Sequence, residues 1–136
     1  MNDVDYLIVG AGAMGMAFAD VLFNESDATF AMVDDRPAPG GHWNDAYPFV
    51  RLHQPSAFYG VNSVKLGSDR IDQSGCNSGL YELASKGELL GYYDQIMRGQ
   101  FLSSGRVQYF PNARYSDAGQ ITSSVTGKAI DIKARK

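Results

Sequence analysis

A glycine-rich turn between an apolar strand and a helix, a second helical period from Ser85, and three short turn-linked strands near the end of the chain predict an α/β fold. The predicted architecture is a Rossmann-like doubly wound parallel sheet of βαβαβ order with a C-terminal antiparallel β-meander.

The first unit runs from Asp5 to Asp34. Tyr6-Leu7-Ile8-Val9 reads as strand one, buried on both faces like a central parallel strand. It feeds Gly10-Ala11-Gly12-Ala13-Met14-Gly15. Gly10 permits the tight turn, Gly12 lets backbone approach a pyrophosphate, and Gly15 allows the helix to pack closely on the strand. Helix one is expected over Met14 to Asn24, with Met14, Phe18, Val21 and Leu22 at helical spacing and Ala17 and Ala19 small enough for contact with the sheet. Strand two covers Thr29 to Val33 and ends on Asp34, 19 residues after Gly15. An acid about 20 residues beyond the glycines is placed to accept hydrogen bonds from a ribose. The motif therefore points to nucleotide binding, with phosphates at the positive end of the helix dipole. The bland alternative is a glycine turn in another βαβ unit.

Arg36-Pro37-Ala38-Pro39-Gly40-Gly41 must be irregular, and no sustained period appears from His42 to Leu83. So long a loop is usually functional or disordered. Trp43, Tyr47, Phe49, Phe58 and Tyr59 argue for function, because aromatics are poor components of a disordered linker. Helix two is expected over Ser85 to Leu102, opened by a Ser85–Glu88 capping box and carrying Leu89, Leu90, Tyr93, Ile96, Met97 and Phe101 at helical intervals. Gly105 ends it. Val107 to Phe110 is strand three, expected beside strand one. Ala113 to Asp117, Gln120 to Val125 and Lys128 to Lys133 are the expected strands of the meander.

Composition excludes several classes. A chain of 136 residues, 44% hydrophobic, is long enough for one domain with a core. A net charge of −3 argues against a general nucleic-acid partner. One cysteine, Cys76, rules out an internal disulfide or a CxxC redox pair, and its Ser/Gly/Asn surroundings suggest a loop. With only His42 and His53 as histidines, no metal site is expected. No positively charged leader segment or membrane-length apolar run is present, so a cytoplasmic location is the expectation. No paired carboxylates or Ser-His-Asp order support a hydrolase.

At Gly40-Gly41-His42-Trp43, followed by Tyr47-Pro48, the chain resembles flavoproteins with two dinucleotide-binding domains, most closely the flavin-containing and Baeyer–Villiger-type monooxygenases. The resemblance spans nearly the whole chain and implies an incomplete FAD/NAD(P)-binding domain. It treats residues 1–136 as one partial FAD-binding domain, with 36–83 as a cofactor-facing region, 113–134 as the meander and the second NAD(P)H-binding domain absent. It implies FAD as cofactor and NADPH or NADH as reductant in the complete oxidoreductase. The expectation is thus the N-terminal portion of a larger enzyme, whose missing strands would leave sheet edges open to homodimerisation.

On this resemblance Gly10, Gly12, Ala13, Met14 and Gly15 line the pyrophosphate, and Asp34, rather than neighbouring Asp35, accepts the ribose hydroxyls. Arg36 lies by adenine or phosphate, or is a solvated loop arginine. Gly40 and Gly41 bring backbone to the cofactor, or form a plain turn. His42 donates to the cofactor, or sits on the surface. Trp43 covers flavin or pyrophosphate, or anchors the long loop in the core. Catalytic residues are not identified; Arg51 and His53 are the weak candidates, for stabilising a reduced flavin and for hydrogen bonding to flavin or substrate. The stretch Arg51 to Ser56 departs from the usual monooxygenase sequence. Two competing readings are a NAD(P)-binding dehydrogenase domain and a non-catalytic nucleotide-binding module.

Overall fold

A computed structural model describes residues 3–136. The chain opens with β1 (Asp3–Val4) and passes through Asp5 into β2 (Tyr6–Val9), α1 (Ala13–Glu25) and β3 (Phe30–Val33). After the long segment come α2 (Lys86–Ile96), β4 (Val107–Phe110), β5 (Ala113–Tyr115), β6 (Ile121–Ser123), β7 (Ala129–Ile130) and β8 (Lys133–Ala134). The main sheet is parallel, in the order β2-β3-β4. The meander is antiparallel, in the order β5-β6-β7. This is the α/β architecture the sequence predicts.

Alternation along the strands sorts side chains into two cores. The register rows Tyr6–Phe30–Val107 and Ile8–Met32–Tyr109 face the helices, where Met16, Ala19, Leu89, Tyr93, Ile96 and Phe101 pack against them. Leu7, Val33 and Phe110 face the meander and meet Ala113, Ile121 and Ile130.

Four expectations are corrected. The central strand is β3, whose four residues are all buried. Strand one is only partly covered, and Val9 is 57% exposed. Strand three joins strand two, not strand one. The outer edge of strand one is instead approached by the last residues of the chain: β8 pairs in parallel with β1, and the Leu7 N–H donates to the Lys136 carbonyl. The third meander strand accordingly stops at Ile130, because Lys133 and Ala134 pair with β1 in a separate two-stranded sheet.

The inward face of α1 also differs. Met16, Ala19 and Asp20 are buried, while Met14, Phe18 and Val21 are exposed. Gly15 sets this phase. A Cβ there would lie 2.0 Å from the Gly10 carbonyl oxygen, so the glycine side of the helix is pressed against the turn and the 14–18–21 stripe faces out.

Helix α2 begins with the expected capping box. Ser85 Oγ accepts the Glu88 N–H, and Glu88 Oε2 accepts the Ser85 N–H. The regular helix ends at Ile96. A π-turn (Met97–Phe101) and a 3₁₀ turn (Leu102–Ser104) carry the chain to Gly105, whose φ of +73° closes the segment. The widened turn keeps Met97 and Phe101 buried beyond the end of the α-helix.

The segment from 36 to 83 is irregular but tied down by buried polar groups. Asp20, 1% exposed, accepts the backbone N–H and the hydroxyl of Ser63. Tyr92 Oη accepts the Val61 N–H and donates to the Val64 carbonyl. Glu82 accepts the Ser68 N–H, and Ser56 Oγ donates to the Glu82 carbonyl. Such contacts replace a β-ladder in satisfying a chain that must cross the helices.

Candidate functional site

The site is built where β2 and β3 end. Gly10 adopts φ +102°, and its N–H continues the sheet ladder to the Val33 carbonyl at 2.7 Å. Gly12 is the N-cap of α1 and has no side chain to offer, and no acid lies in the first turn. The early amides of this helix therefore meet no capping side chain, whereas those of α2 are capped reciprocally. An uncapped helix start at a glycine turn presents donors and a positive dipole end to an anion.

Asp34 closes the arrangement. It is 6% exposed and accepts two backbone N–H groups, from Ala11 at 2.5 Å and Arg36 at 2.8 Å, one on each oxygen. A carboxylate has about four acceptor positions, so capacity remains for further donors. Its own backbone joins the sheet to the meander: the Asp34 N–H donates to Phe110, and its carbonyl accepts from Ala113.

A second loop lies on the glycine turn. The Gly40 N–H donates to the Ala11 carbonyl at 2.8 Å. Gly41 takes φ +56°, and a Cβ on it would approach Gly12 Cα to 2.9 Å. Ala11 and Gly12 thus meet Gly40 and Gly41 backbone to backbone, a contact that sequence spacing alone does not show.

Beside Gly10 and Asp34 opens a cavity of about 350 Å³, bounded on its far side by Ala113, Arg114 and Tyr115. Val9, Val33, Asp35 and Arg36 complete its wall. The meander residues and the two valines were not among the sequence candidates. The signal that finds them is topological: ligands of open α/β sheets sit beyond the carboxyl ends of the strands, and β5 must cross there directly after β4.

The remaining candidates separate. Asp35 is exposed and pairs loosely with Arg36 at 3.6 Å. The Arg36 guanidinium is engaged by Asp45, with Nε and Nη2 at 2.8 and 2.7 Å from the same oxygen. That hydrogen bond to Asp45 raises the Arg36 pKa further above its ordinary value. His42 is exposed and lies 5.4 Å from the Trp43 ring. Trp43 is buried in the main core, and its Nε1–H donates to the Tyr59 hydroxyl at 2.9 Å. Tyr47 and Phe49 stack on each other and, with Phe58, remain exposed. Arg51 donates to the Leu83 carbonyl and lines a different cavity with Arg70, Asp72 and Cys76. That cavity shares no lining residue with the one at Gly10 and Asp34. His53 is exposed. Cys76 is exposed in a turn.

Among the described residues no group of three or more His, Cys, Asp or Glu is placed to hold a metal ion. No helix there is long and apolar enough to cross a membrane.

No protein-family profile matches the chain. Over 118 residues it is 56% identical to an uncharacterized protein of Mycobacterium tuberculosis, a stretch covering 87% of this chain and 22% of that one. Over 94 residues it is 31% identical to a ferredoxin–NADP reductase of Salinispora tropica, covering 69% of this chain and 29% of the reductase. The chain thus spans less than a third of the length of either relative. Among solved structures, a flavin-containing monooxygenase from Stenotrophomonas maltophilia superposes with a TM-score of 0.67 at 19% identity, over 99% of this chain and 37% of that one. An open form of cyclohexanone monooxygenase gives 0.57 at 20% identity, over 99% of this chain and 26% of its own.

The fold is therefore that of the corresponding portion of these flavoproteins. Within that class, the shape is shared over nearly the whole chain with flavin monooxygenases.

Proposed function

We propose that this chain is the FAD-binding portion of an FAD- and NAD(P)H-dependent oxidoreductase of monooxygenase-like type, holding the ADP half of FAD at the Gly10–Gly15 turn. The observation that carries the reading is the uncapped start of α1, set in a turn of bare backbone beside the buried carboxylate of Asp34. The residues fit the group. Amides of Ala13, Met14 and Gly15 suit a pyrophosphate, and Gly10 and Gly12 put no side chain in its way. Asp34 faces the cavity with acceptor capacity for ribose hydroxyls. The cavity between Asp34 and Ala113 to Tyr115 lies within the ~300–1,000 Å³ usual for small-ligand sites.

Bound flavin supplies two-electron redox chemistry, with NADPH or NADH as reductant in the longer protein; the protein supplies binding, orientation and electrostatics. In this chain that contribution has three parts. The helix start balances phosphate charge. Asp34 selects a ribose by its hydroxyls. The Gly40–Gly41 backbone, seated on Gly12, fixes the shape of the turn. Arg51 plays no part in this reading of the nucleotide site, because it lines another cavity, and His53 lines neither of the two.

Isothermal titration of the purified chain with FAD, with NADPH and ADP as comparators, tests the proposal. FAD and ADP should bind, and Gly12→Val or Asp34→Ala should weaken both by about tenfold or more, the scale of losing hydrogen bonds to a charged group. A folded chain that binds none of the three overturns it. Tight NADPH binding with no response to FAD would favour a dehydrogenase domain.

A further inference from the structure

Arg36 lines the nucleotide cavity, yet its guanidinium is turned to Asp45, at the far end of the loop that carries Gly40 and Gly41. The loop is fixed at both ends. At its start, the Arg36 N–H donates to Asp34 Oδ1, and the Arg36 carbonyl accepts from Asn112. At its finish, Lys86 Nζ donates to the carbonyls of Asn44 and Ala46. Within it, Asn44 Nδ2 donates to the carbonyls of Ala38 and Gly41. Among the described residues, Arg36 and Asp45 are the one side-chain ion pair that joins the first residues of the loop to the last. What lies between them is the pair of glycines resting on Ala11 and Gly12.

We propose that Arg36 and Asp45 form a clasp that holds the Gly40–Gly41 backbone on the glycine turn, making Asp45 a positioning residue for the nucleotide site. The proposal rests on the nucleotide reading above and adds a residue that touches no ligand. Two prolines, Pro37 and Pro39, stiffen the span but give it no donors of their own. Gly40 at φ +122° and Gly41 at φ +56° take conformations open to few residues, and a tether across the loop limits their alternatives. The pair is partly exposed, at 34% for Arg36 and 64% for Asp45, so its effect is modest.

The test is a double-mutant cycle read two ways. FAD affinity is measured for wild type, Asp45→Asn, Arg36→Gln and the double variant, with Gly12→Val as the control for the nucleotide site. Hydrogen exchange of the Gly40 amide is followed in the same proteins without ligand. Each single variant should bind FAD about threefold to fivefold more weakly, the range of an exposed ion pair. The double variant should lose no more than either single one, since each residue acts through the other. Asp45→Glu should bind nearly as wild type. Gly40 exchange should quicken in both single variants.

Additive losses, or a much larger loss for Arg36→Gln than for Asp45→Asn, would show direct contact between Arg36 and the nucleotide and overturn the clasp. Unchanged Gly40 exchange would overturn it as well. A wild-type protein that binds no nucleotide would sink the nucleotide reading and the positioning role with it. Gly40 exchange would still decide separately whether the clasp exists.

Discussion

Gly41 rests on Gly12 with so little space between them that a Cβ on Gly41 would come within 2.9 Å of Gly12 Cα. The reverse substitution is gentler, since a Cβ on Gly12 would lie 3.4 Å from Gly41 Cα. The asymmetry follows from backbone direction, and it separates two glycines that look equivalent in the sequence. Gly41 also has φ +56°, so alanine there meets both a backbone neighbour and a left-handed conformation. Gly41→Ala should destabilise the fold by about 2 kcal/mol or more, combining overpacking with the left-handed cost. Gly12→Ala should cost clearly less. Denaturant unfolding of the two variants checks this, and equal losses would contradict the packing described.

Asp20 should matter to stability although it lies outside the cavity. It is a buried carboxylate whose acceptors are filled by Ser63 and by Asn24 Nδ2. Asp20→Ala removes the partner of the Ser63 N–H and leaves the 60–65 stretch without its tie to α1. The expected cost is about 2–4 kcal/mol, from a hydrogen-bonded charge and the donors it leaves unmade. Thermal unfolding and limited proteolysis within 60–65 would both report it. A variant as stable and as resistant as wild type would refute the assignment.

The capping box of α2 makes a smaller, local prediction. Ser85→Ala loses the acceptor for the Glu88 N–H and should cost about 1 kcal/mol. Lys86, the next residue, also holds the Asn44 and Ala46 carbonyls, so fraying at this end should reach the glycine loop. Faster amide exchange at Glu88 and Gly40 in Ser85→Ala would show that coupling; a change confined to Glu88 would deny it.

Asp5 gives the fold a pH dependence in the acid range. Its carboxyl is held below the ordinary value of 3.8, first by the Thr29 N–H, then by the Thr29 hydroxyl, with Arg135 adding a smaller attraction. A folded-state pKa below the unfolded one contributes stability that is fully present above the unfolded value and lost as pH falls through the folded one. Asp5→Asn should therefore lower Tm near pH 7, and the gap from wild type should shrink as pH drops below 3.8. A gap that stays constant down to pH 2 would count against this origin.

The sequence made some of this structure plain and concealed the rest for identifiable reasons. The glycine turn, Asp34 and the Ser85–Glu88 cap were legible because each is a local device whose residues lie within a few positions of one another or at a spacing fixed by one βαβ unit. The inward face of α1 was misread because apolarity pointed to Met14, Phe18 and Val21, while the helix phase was set by Gly15 against Gly10. Strand order was misplaced because local signals do not say which neighbour a strand takes; the pairing of Phe30 to Val33 with Val107 to Phe110 decides it. The Arg36–Asp45 pair was invisible as well. Loop ion pairs carry no periodicity, and the path of a segment with four prolines and four glycines from Arg36 to Gly67 is decided by tertiary contacts.

The pairing of β1 with β8 joins the two ends of the sequence, so it closes the longest loop the chain contains. Bringing such distant segments together carries the largest loop-closure entropy of any contact here, and it grows only slowly with length. Local units such as the β2-α1-β3 turn have no such delay and are expected to assemble first. The Leu7 amide, which donates to Lys136, is then a clock for the final event: its protection during refolding marks when the last strand has docked, well after the glycine turn has taken shape.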